Sequence, residues 1–288
     1  MDDQDWLVHR FEERRSQLTA VAYRMLGSRS DAGDAVQETW LRLSRTDTND
    51  VDNLSAWLTT VVARVCLDML RQRAARREEP LGVHLPDPIV EPWPADDQPE
   101  DQTVLADAVG LALLVVLDTL TPAERLAFVL HDMFAVPFDR IAVLLERSPA
   151  AAKMLASRAR RRVHGTPVPD ADLIRQREVV DAFFAAARSG DFGALVEVLA
   201  PDVVLRGDGG AARPNVSRVL RGAREVAKQA VMFAQLAPFV RPALVNNAAG
   251  AIVVHNGRMV TVLAFTVVHD KIAALDVFAD PDRLAALD

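Results

Sequence analysis

Apolar positions recur at helical spacing in LTAVAYRML (residues 18–26) and AWLTTVVARVCLDML (56–70), and predict helices over residues 5–75. Gly27-Ser28 interrupts the first run, and Asp31 is the expected cap of the next helix, DAGDAVQETWLRL (31–43). The polar stretch RTDTNDVDN (45–53) predicts a loop, with Asn53 or Ser55 opening the helix beyond it. Then the texture changes. Pro80, Pro86, Pro88, Pro92, Pro94 and Pro99 punctuate a segment that cannot hold a long helix and should be extended.

Helices resume at about Ala106. Thr121-Pro122-Ala123-Glu124 combines a capping box with proline at the first helical position, and the helix it starts should end near Ala135-Val136-Pro137. FDRIAVLL (138–145), the turn Glu146-Arg147-Ser148 and PAAAKMLASRARRRV (149–163) follow, with Ser148 as the cap of the last helix. HGTPVPD then forms a shorter linker. From about Asp172 two helical stretches lead to a strand, DVVLRG, a glycine turn, the helical AREVAKQAVMFAQL and three β-like runs, GAIVVHN, RMVTVLAFTVVH and KIAALDVFAD. Asn256-Gly257 and His269-Asp270 are the hairpin turns between those runs. The fold class is therefore multidomain: two all-α domains, the second a helix-turn-helix, then an α+β domain of helices against one curved antiparallel sheet. The expected boundaries are 5–77, an acidic linker 78–105, 106–164, a short linker 165–174, and 175–288.

With 288 residues, half of them hydrophobic, each domain can bury a core of its own. No apolar run approaches the roughly 20 residues that cross a bilayer, the acidic start MDDQDWLVHR is unlike a signal peptide, and the expectation is a cytoplasmic protein with no membrane partner. A lone cysteine, Cys66, sits in an apolar helical pattern, which predicts a buried, inert thiol and fits a reducing cytosol. The six histidines show no metal-ligand spacing and no glycine-rich phosphate loop occurs, so neither metal nor cofactor is expected.

Charge is distributed more tellingly than its sum of −7 suggests. Glu78 to Asp107 carries nine carboxylates and no Lys or Arg, whereas Arg147 to Val163 carries six cations and no Asp or Glu. An acidic strap beside basic helical ends should bind naked DNA poorly and need a partner to present it. The apolar residues Val83, Leu85, Ile89, Val90 and Trp93 favour an ordered strap over a solvated spacer.

The helix pair Phe138 to Val163 reads as a helix-turn-helix whose second helix can enter a major groove. Lys153, Ser157 and Arg160 share one of its faces, and Ala151, Leu155 and Ala159 form the expected buried stripe. That segment resembles the promoter-reading end of extracytoplasmic-function sigma factors. DAGDAVQETWLRL and AWLTTVVARVCLDMLRQRAARR resemble their polymerase-binding and strand-opening helices. The resemblance implies core RNA polymerase and promoter DNA as partners. It implies that Asp34, Gln37, Glu38 and Trp40 dock on the polymerase clamp, and that the helix bearing Trp57, Arg64, Arg71, Arg73, Arg76 and Arg77 meets the −10 element. Arg64 stands where many members have Asn. Lys153, Ser157, Arg158, Arg160 and Arg161 would meet the −35 element, and the acidic linker would thread a basic channel of the polymerase.

The C-terminal stretch is similar to the SnoaL-like (NTF2-like) cone carried by one sigma-factor subfamily. That subfamily has a Trp-Leu-Pro-Glu-Pro linker motif, here His84-Leu85-Pro86-Asp87-Pro88. Its Asp-Gly-Gly-Gly-Lys turn is here Asp208-Gly209-Gly210-Ala211-Ala212-Arg213, and its Asn-Pro-Asp-Lys-Leu end is Asp280-Pro281-Asp282-Arg283-Leu284. The resemblance implies an intramolecular regulator touching the linker or the sigma domains through these motifs. Three readings of the domain stay open. A general base among Asp208, His255, His269 and Asp276 would make it an enzyme; an apolar pocket would make it a receptor for an unknown small ligand; a purely protein-contacting regulator is the reading favoured. No residue is assigned a catalytic role. The rivals for the whole chain are a DNA-binding regulator that never joins polymerase and an enzyme with a helical appendage.

Overall fold

The computed structural model describes residues 3–46, 53–76, 83–94 and 110–287. Its contacts divide the chain into two compact units, residues 1–78 with 116–165, and residues 79–115 with 166–288.

In the first unit, α1 (Asp3–Leu26), α2 (Arg29–Leu43) and α3 (Leu54–Arg76) pack around Phe11, Leu18, Met25, Leu43, Leu58 and Leu67. Gly27 ends α1 at φ +70°, a conformation that costs glycine little. Ser28, not Asp31, caps α2: its Oγ accepts the Asp31 N–H at 3.4 Å. A cap must precede the first orphan N–H groups, so Asp31 sits one turn too late and instead pairs with Arg73 of α3. Asn53 Oδ1 accepts the Ala56 N–H at 2.9 Å at the start of α3.

After α4 (Leu111–Asp118), α5 (Pro122–Phe128) opens on the anticipated capping box, with Thr121 Oγ1 accepting the Glu124 N–H and Glu124 Oε2 accepting the Thr121 N–H. The helix then widens into a π-helical stretch, Val129–Met133, that periodicity does not reveal. α6 (Phe138–Leu145) and α7 (Pro149–Val163) occupy the expected spans, and Ser148 Oγ accepts the Ala151 N–H at 3.2 Å. The buried stripe of α7 is Ala152, Ala156 and Ala159, with Ala151 and Leu155 only half-buried. Packing against α5 and α6 rotates the helix by about one position from the stripe expected. Arg125, 3% exposed, fastens α5 to α1: its Nε donates to the Arg24 carbonyl at 3.0 Å, its guanidinium pairs with Asp118, and burial lowers its pKa. Nearby Cys66 is fully buried, and desolvation pushes its thiol up to about 12.

The second unit is a seven-stranded sheet with helices on one face. Its strands are β1 (Val90–Pro92), β2 (Leu199–Asp208), β3 (Arg218–Arg221), β4 (Val240–Val245), β5 (Ala248–His255), β6 (Arg258–Val268) and β7 (Lys271–Phe278), in the order β1-β4-β5-β6-β7-β2-β3. The helices α8 (Leu173–Ser189), α9 (Phe192–Val198) and α10 (Ala223–Met232) close over it around Phe183, Leu195, Val226 and Phe265, and α11 (Pro281–Leu284) ends the unit. The expectation of a purely antiparallel sheet is corrected: β2 and β7 pair in parallel, because the chain crosses through β3, α10 and the three central strands before returning beside β2. Asn256 and Gly257, and His269 and Asp270, take positive φ as two-residue hairpin turns require. A third such turn, Asn246-Asn247, joins β4 to β5. The linker itself supplies edge strand β1, where Pro92 needs no ladder donor on its open side.

Candidate functional site

On α2, Asp34, Gln37 and Glu38 lie at i, i+3 and i+4 and share one surface with Leu41, which is 38% exposed. Glu38 also accepts a hydrogen bond from Arg42 Nε at 2.9 Å. Trp40, i+3 from Gln37, is half-buried with its ring tilted against Phe11, centroids 5.1 Å apart, so it also braces α2 on α1. Leu41 was not singled out by the sequence; a lone leucine in an amphipathic pattern carries no mark of exposure.

On α3, Arg64 and Arg71 are exposed and Trp57 half-buried. Arg64 reaches Glu146 in the α6–α7 turn at 3.6 Å, and Arg71 reaches Asp68 at 3.8 Å. Both pairs are open to solvent and contribute little. Arg73 differs: it pairs with Asp31 and donates to the Leu26 carbonyl at 3.3 Å. These bonds hold α3 to the α1–α2 corner and turn Arg73 away from the exposed basic set. The side chain of Arg76, all of Arg77 and most of the 45–53 loop fall outside the described residues.

On α7, Lys153, Ser157, Arg158, Arg160 and Arg161 are all exposed. Arg160 Nε donates to Asp132 at 2.6 Å, and the neighbouring Arg162 reaches Glu124 at 3.1 Å and the Thr119 carbonyl. Among the described residues Lys153, Arg158 and Arg161 have no carboxylate partner. Met154, 57% exposed, stands between them. Cations and one flexible apolar side chain on a helix-turn-helix suit phosphates, guanine edges and thymine methyls.

The linker and the C-terminal motifs meet in the second unit. Asp208, 2% exposed at the end of β2, accepts the Leu85 N–H at 2.8 Å and the Gly210 N–H at 3.0 Å. Arg283 bridges the rest: Nη1 donates to Asp208 at 2.8 Å, Nη2 to the Leu85 carbonyl at 2.6 Å, and Nε to Asp87 at 3.0 Å. His84 Nδ1 lies 3.2 Å from Arg283 Nη1 and 3.7 Å from Asp208. Leu85, Pro86 and Pro88 are buried. Asn246 receives the Ile89 N–H at 3.1 Å and returns its own N–H to the Ile89 carbonyl at 2.8 Å, after which β1 pairs with β4. Trp93 lies beneath the Arg177 guanidinium, 5.0 Å from the ring centre.

Asp280 accepts the N–H groups of Asp282 and Arg283 and so aims Arg283 at the linker. A β-carbon on Gly209 or Gly210 would collide with Arg213 backbone or with the Asp280 carboxylate. Pro281 holds the first position of α11, and Asp282 is exposed, its backbone N–H donating to the Asp280 carboxylate.

The family model of Sigma-70 region 2 matches residues 10–76, and that of Sigma-70, region 4 matches residues 110–163. The chain is 40% identical over 293 residues to the ECF RNA polymerase sigma factor SigJ of Mycobacterium tuberculosis, covering 96% of this chain and 92% of that one. This chain belongs to the ECF RNA polymerase sigma factors. The crystal structure of SigJ matches the sigma factor described here with a TM-score of 0.77 at 37% identity, over 96% of this chain and 98% of that chain. SigG of the same species is 28% identical over 218 residues, 67% of this chain and 59% of that protein.

In the sigma factor the four side chains considered as bases do not share a site. Asp276 is 1% exposed and bound in a bidentate pair with Arg206 at 2.6 and 3.0 Å. Burial raises its pKa and the Arg206 pair opposes that rise. His255 and His269 are exposed at turns, His255 against the edge of Phe239. Asp208 belongs to the linker cluster. Sequence reasoning placed Arg283 within a motif without giving it a role, although it is the lone cation of DPDRL beside an acidic linker.

Proposed function

We propose that the sigma factor meets polymerase through the Asp34, Gln37, Glu38 and Leu41 surface of α2, the −10 element through α3, and the −35 element through α7. Lys153, Arg158 and Arg161 are the phosphate- or guanine-binding cations, with Ser157 and Met154 between them. The observation that carries this reading is that these cations stand exposed on the second helix of the helix-turn-helix with no carboxylate partner among the described residues, while neighbouring Arg160 and Arg162 are tied down.

The two elements lie 25 base pairs apart by name, about 85 Å along the duplex. The longest helix of the first unit, α1 with 24 residues, spans only about 36 Å. We infer that the modules, fastened by the buried Arg125, separate before both elements are engaged. The connection from Arg76 to Leu111 is 34 residues (77–110), which reach at most about 115 Å. Twelve of them, 83–94, are described on the C-terminal sheet. We infer that the C-terminal unit modulates initiation by holding or releasing this strap, shifting the balance between packed and separated modules.

Promoter-dependent transcription with core polymerase tests the reading. Wild-type chain should initiate above core alone. Asp87→Ala and Arg283→Ala should shift that activity in the same direction, and the double variant should match the larger single effect because both break one contact. No initiation from the wild type would end the whole reading, and wild-type activity in both variants would end the regulatory half.

A further inference from the structure

Between the sheet and α8 and α10 lies a cavity of about 190 Å³. Its walls are aromatic and aliphatic, with Phe183, Phe184, Leu205, Leu263, Leu275 and Val277 on facing elements. Enclosed apolar space of about 150 Å³ is enough to take a benzene-sized molecule. The polar groups on its wall are few. Gln229 of α10 is 8% exposed, and its side-chain amide has no hydrogen-bond partner among the described residues. An amide with no partner in the fold can offer both a donor and an acceptor to a molecule in the cavity. Arg213 and Arg218 also line the cavity. Arg213 is held by its bond to the Val260 carbonyl at 3.0 Å, and Arg218 of β3 has no acceptor among the described residues. No Asp or Glu lines the space, so the two positive charges are not locally balanced. Asp208, Arg206 and Asp276 are absent from its wall, because they alternate with Leu205, Gly207, Leu275 and Val277 on the opposite face of β2 and β7.

We propose that this cavity is a receptor site for a compact, largely apolar carboxylic acid, about one ring in size, with its body among the phenylalanines and leucines and its carboxylate at Arg218 and the Gln229 amide. The site binds without turnover. Its lining includes no His, Cys, Asp, Glu or Lys, and its one hydroxyl, Thr261, already donates to the Val260 carbonyl. This assignment is independent of how the linker regulates transcription, and it is read by a separate measurement.

The test is ¹⁹F NMR of 4-fluorobenzoate and of its neutral isostere 4-fluorotoluene, each titrated with the full chain. 4-Fluorobenzoate should bind with a Kd of about 1 mM or tighter, and 4-fluorotoluene at least about tenfold more weakly, since a charge-assisted bond is worth that much. Arg218→Leu should weaken 4-fluorobenzoate about tenfold and leave 4-fluorotoluene unchanged. Ala230→Phe, which places a ring in the cavity, should abolish both. Gln229→Leu keeps the size of the side chain and should weaken the acid alone, which gives a second reading if Ala230→Phe lowers the thermal midpoint of the chain. No binding of either probe would overturn the site. Equal affinity for both probes with no effect of Arg218→Leu would overturn the acid assignment, and undiminished binding by a folded Ala230→Phe chain would place the probe elsewhere and overturn the cavity.

Discussion

On α7 the cations Lys153, Arg158 and Arg161 project from the surface with no carboxylate partner among the described residues, whereas in the C-terminal unit Arg177, Arg206 and Arg283 each close on an internal partner. The charge is the same and the use is opposite. What separates them is whether the chain supplies a counter-charge within reach. The stretch from Arg147 to Val163 has no acidic residue of its own, and among the described residues Asp132 and Glu124 from outside it neutralise Arg160 and Arg162. Arg283, by contrast, faces Asp87 from the acidic linker and Asp208 from β2, and Arg206 faces Asp276 across the β2–β7 pairing. An exposed unpaired cation keeps its affinity for an external anion; a paired and half-buried one fixes the fold.

The comparison is broken most directly at Arg283. Arg283→Ala should destabilise the C-terminal unit by about 3 kcal/mol, because it leaves Asp208 buried without its cation. Amide exchange at Leu85 and Ile89 should rise with it, and Arg283→Lys should recover less than half, since one ammonium cannot span Asp87, Asp208 and the Leu85 carbonyl. Unchanged exchange at both amides would show that the clamp does not hold the linker. On the other side, alanine at Lys153, Arg158 or Arg161 should leave the thermal midpoint in place and cost about 1–3 kcal/mol of promoter binding in the polymerase complex. A phosphate contact will lower the salt slope by about 1, whereas a guanine contact will relax discrimination at one base pair; binding unchanged by all three substitutions would remove α7 from the interface. Asp280→Ala removes the cap that aims Arg283 and should cost about 1 kcal/mol in urea melts of the same unit.

Smallest of all, Asp282→Ala should change stability by less than about 0.5 kcal/mol, because the exposed carboxylate makes no hydrogen bond or ion pair among the described residues. A large loss there would mean that the motif works through Asp282 and not through Arg283.

Much of the helical half was legible in the sequence. The capping box at Thr121, the bounds of α6 and α7, and the caps Ser148 and Asn53 are local features, each set by side chains within three residues of the backbone groups they satisfy. The turns at Asn256-Gly257 and His269-Asp270 were legible for the same reason. The short strands β1, β3 and β4 were not. Three to six residues carry too little alternation to stand out, and their pairing partners lie far away in sequence, Val90 opposite Val245 for instance. The exposed candidates of α2 and α7 could be read from spacing and family likeness, but which of them already had an internal partner could not.

What the sequence by itself determined is the order of elements, the division into an anionic strap between cationic helices, and the motifs that carry them. Those are properties of neighbouring residues and of composition. Only the tertiary structure decided that Arg73 is a brace and Arg161 is open, that Asp276 is buried with Arg206, that the linker becomes an edge strand, and that Gln229 is left facing a cavity. Each of those outcomes depends on which distant side chain arrives within about 3 Å, the reach of a hydrogen bond, and that distance is set by packing across the whole unit.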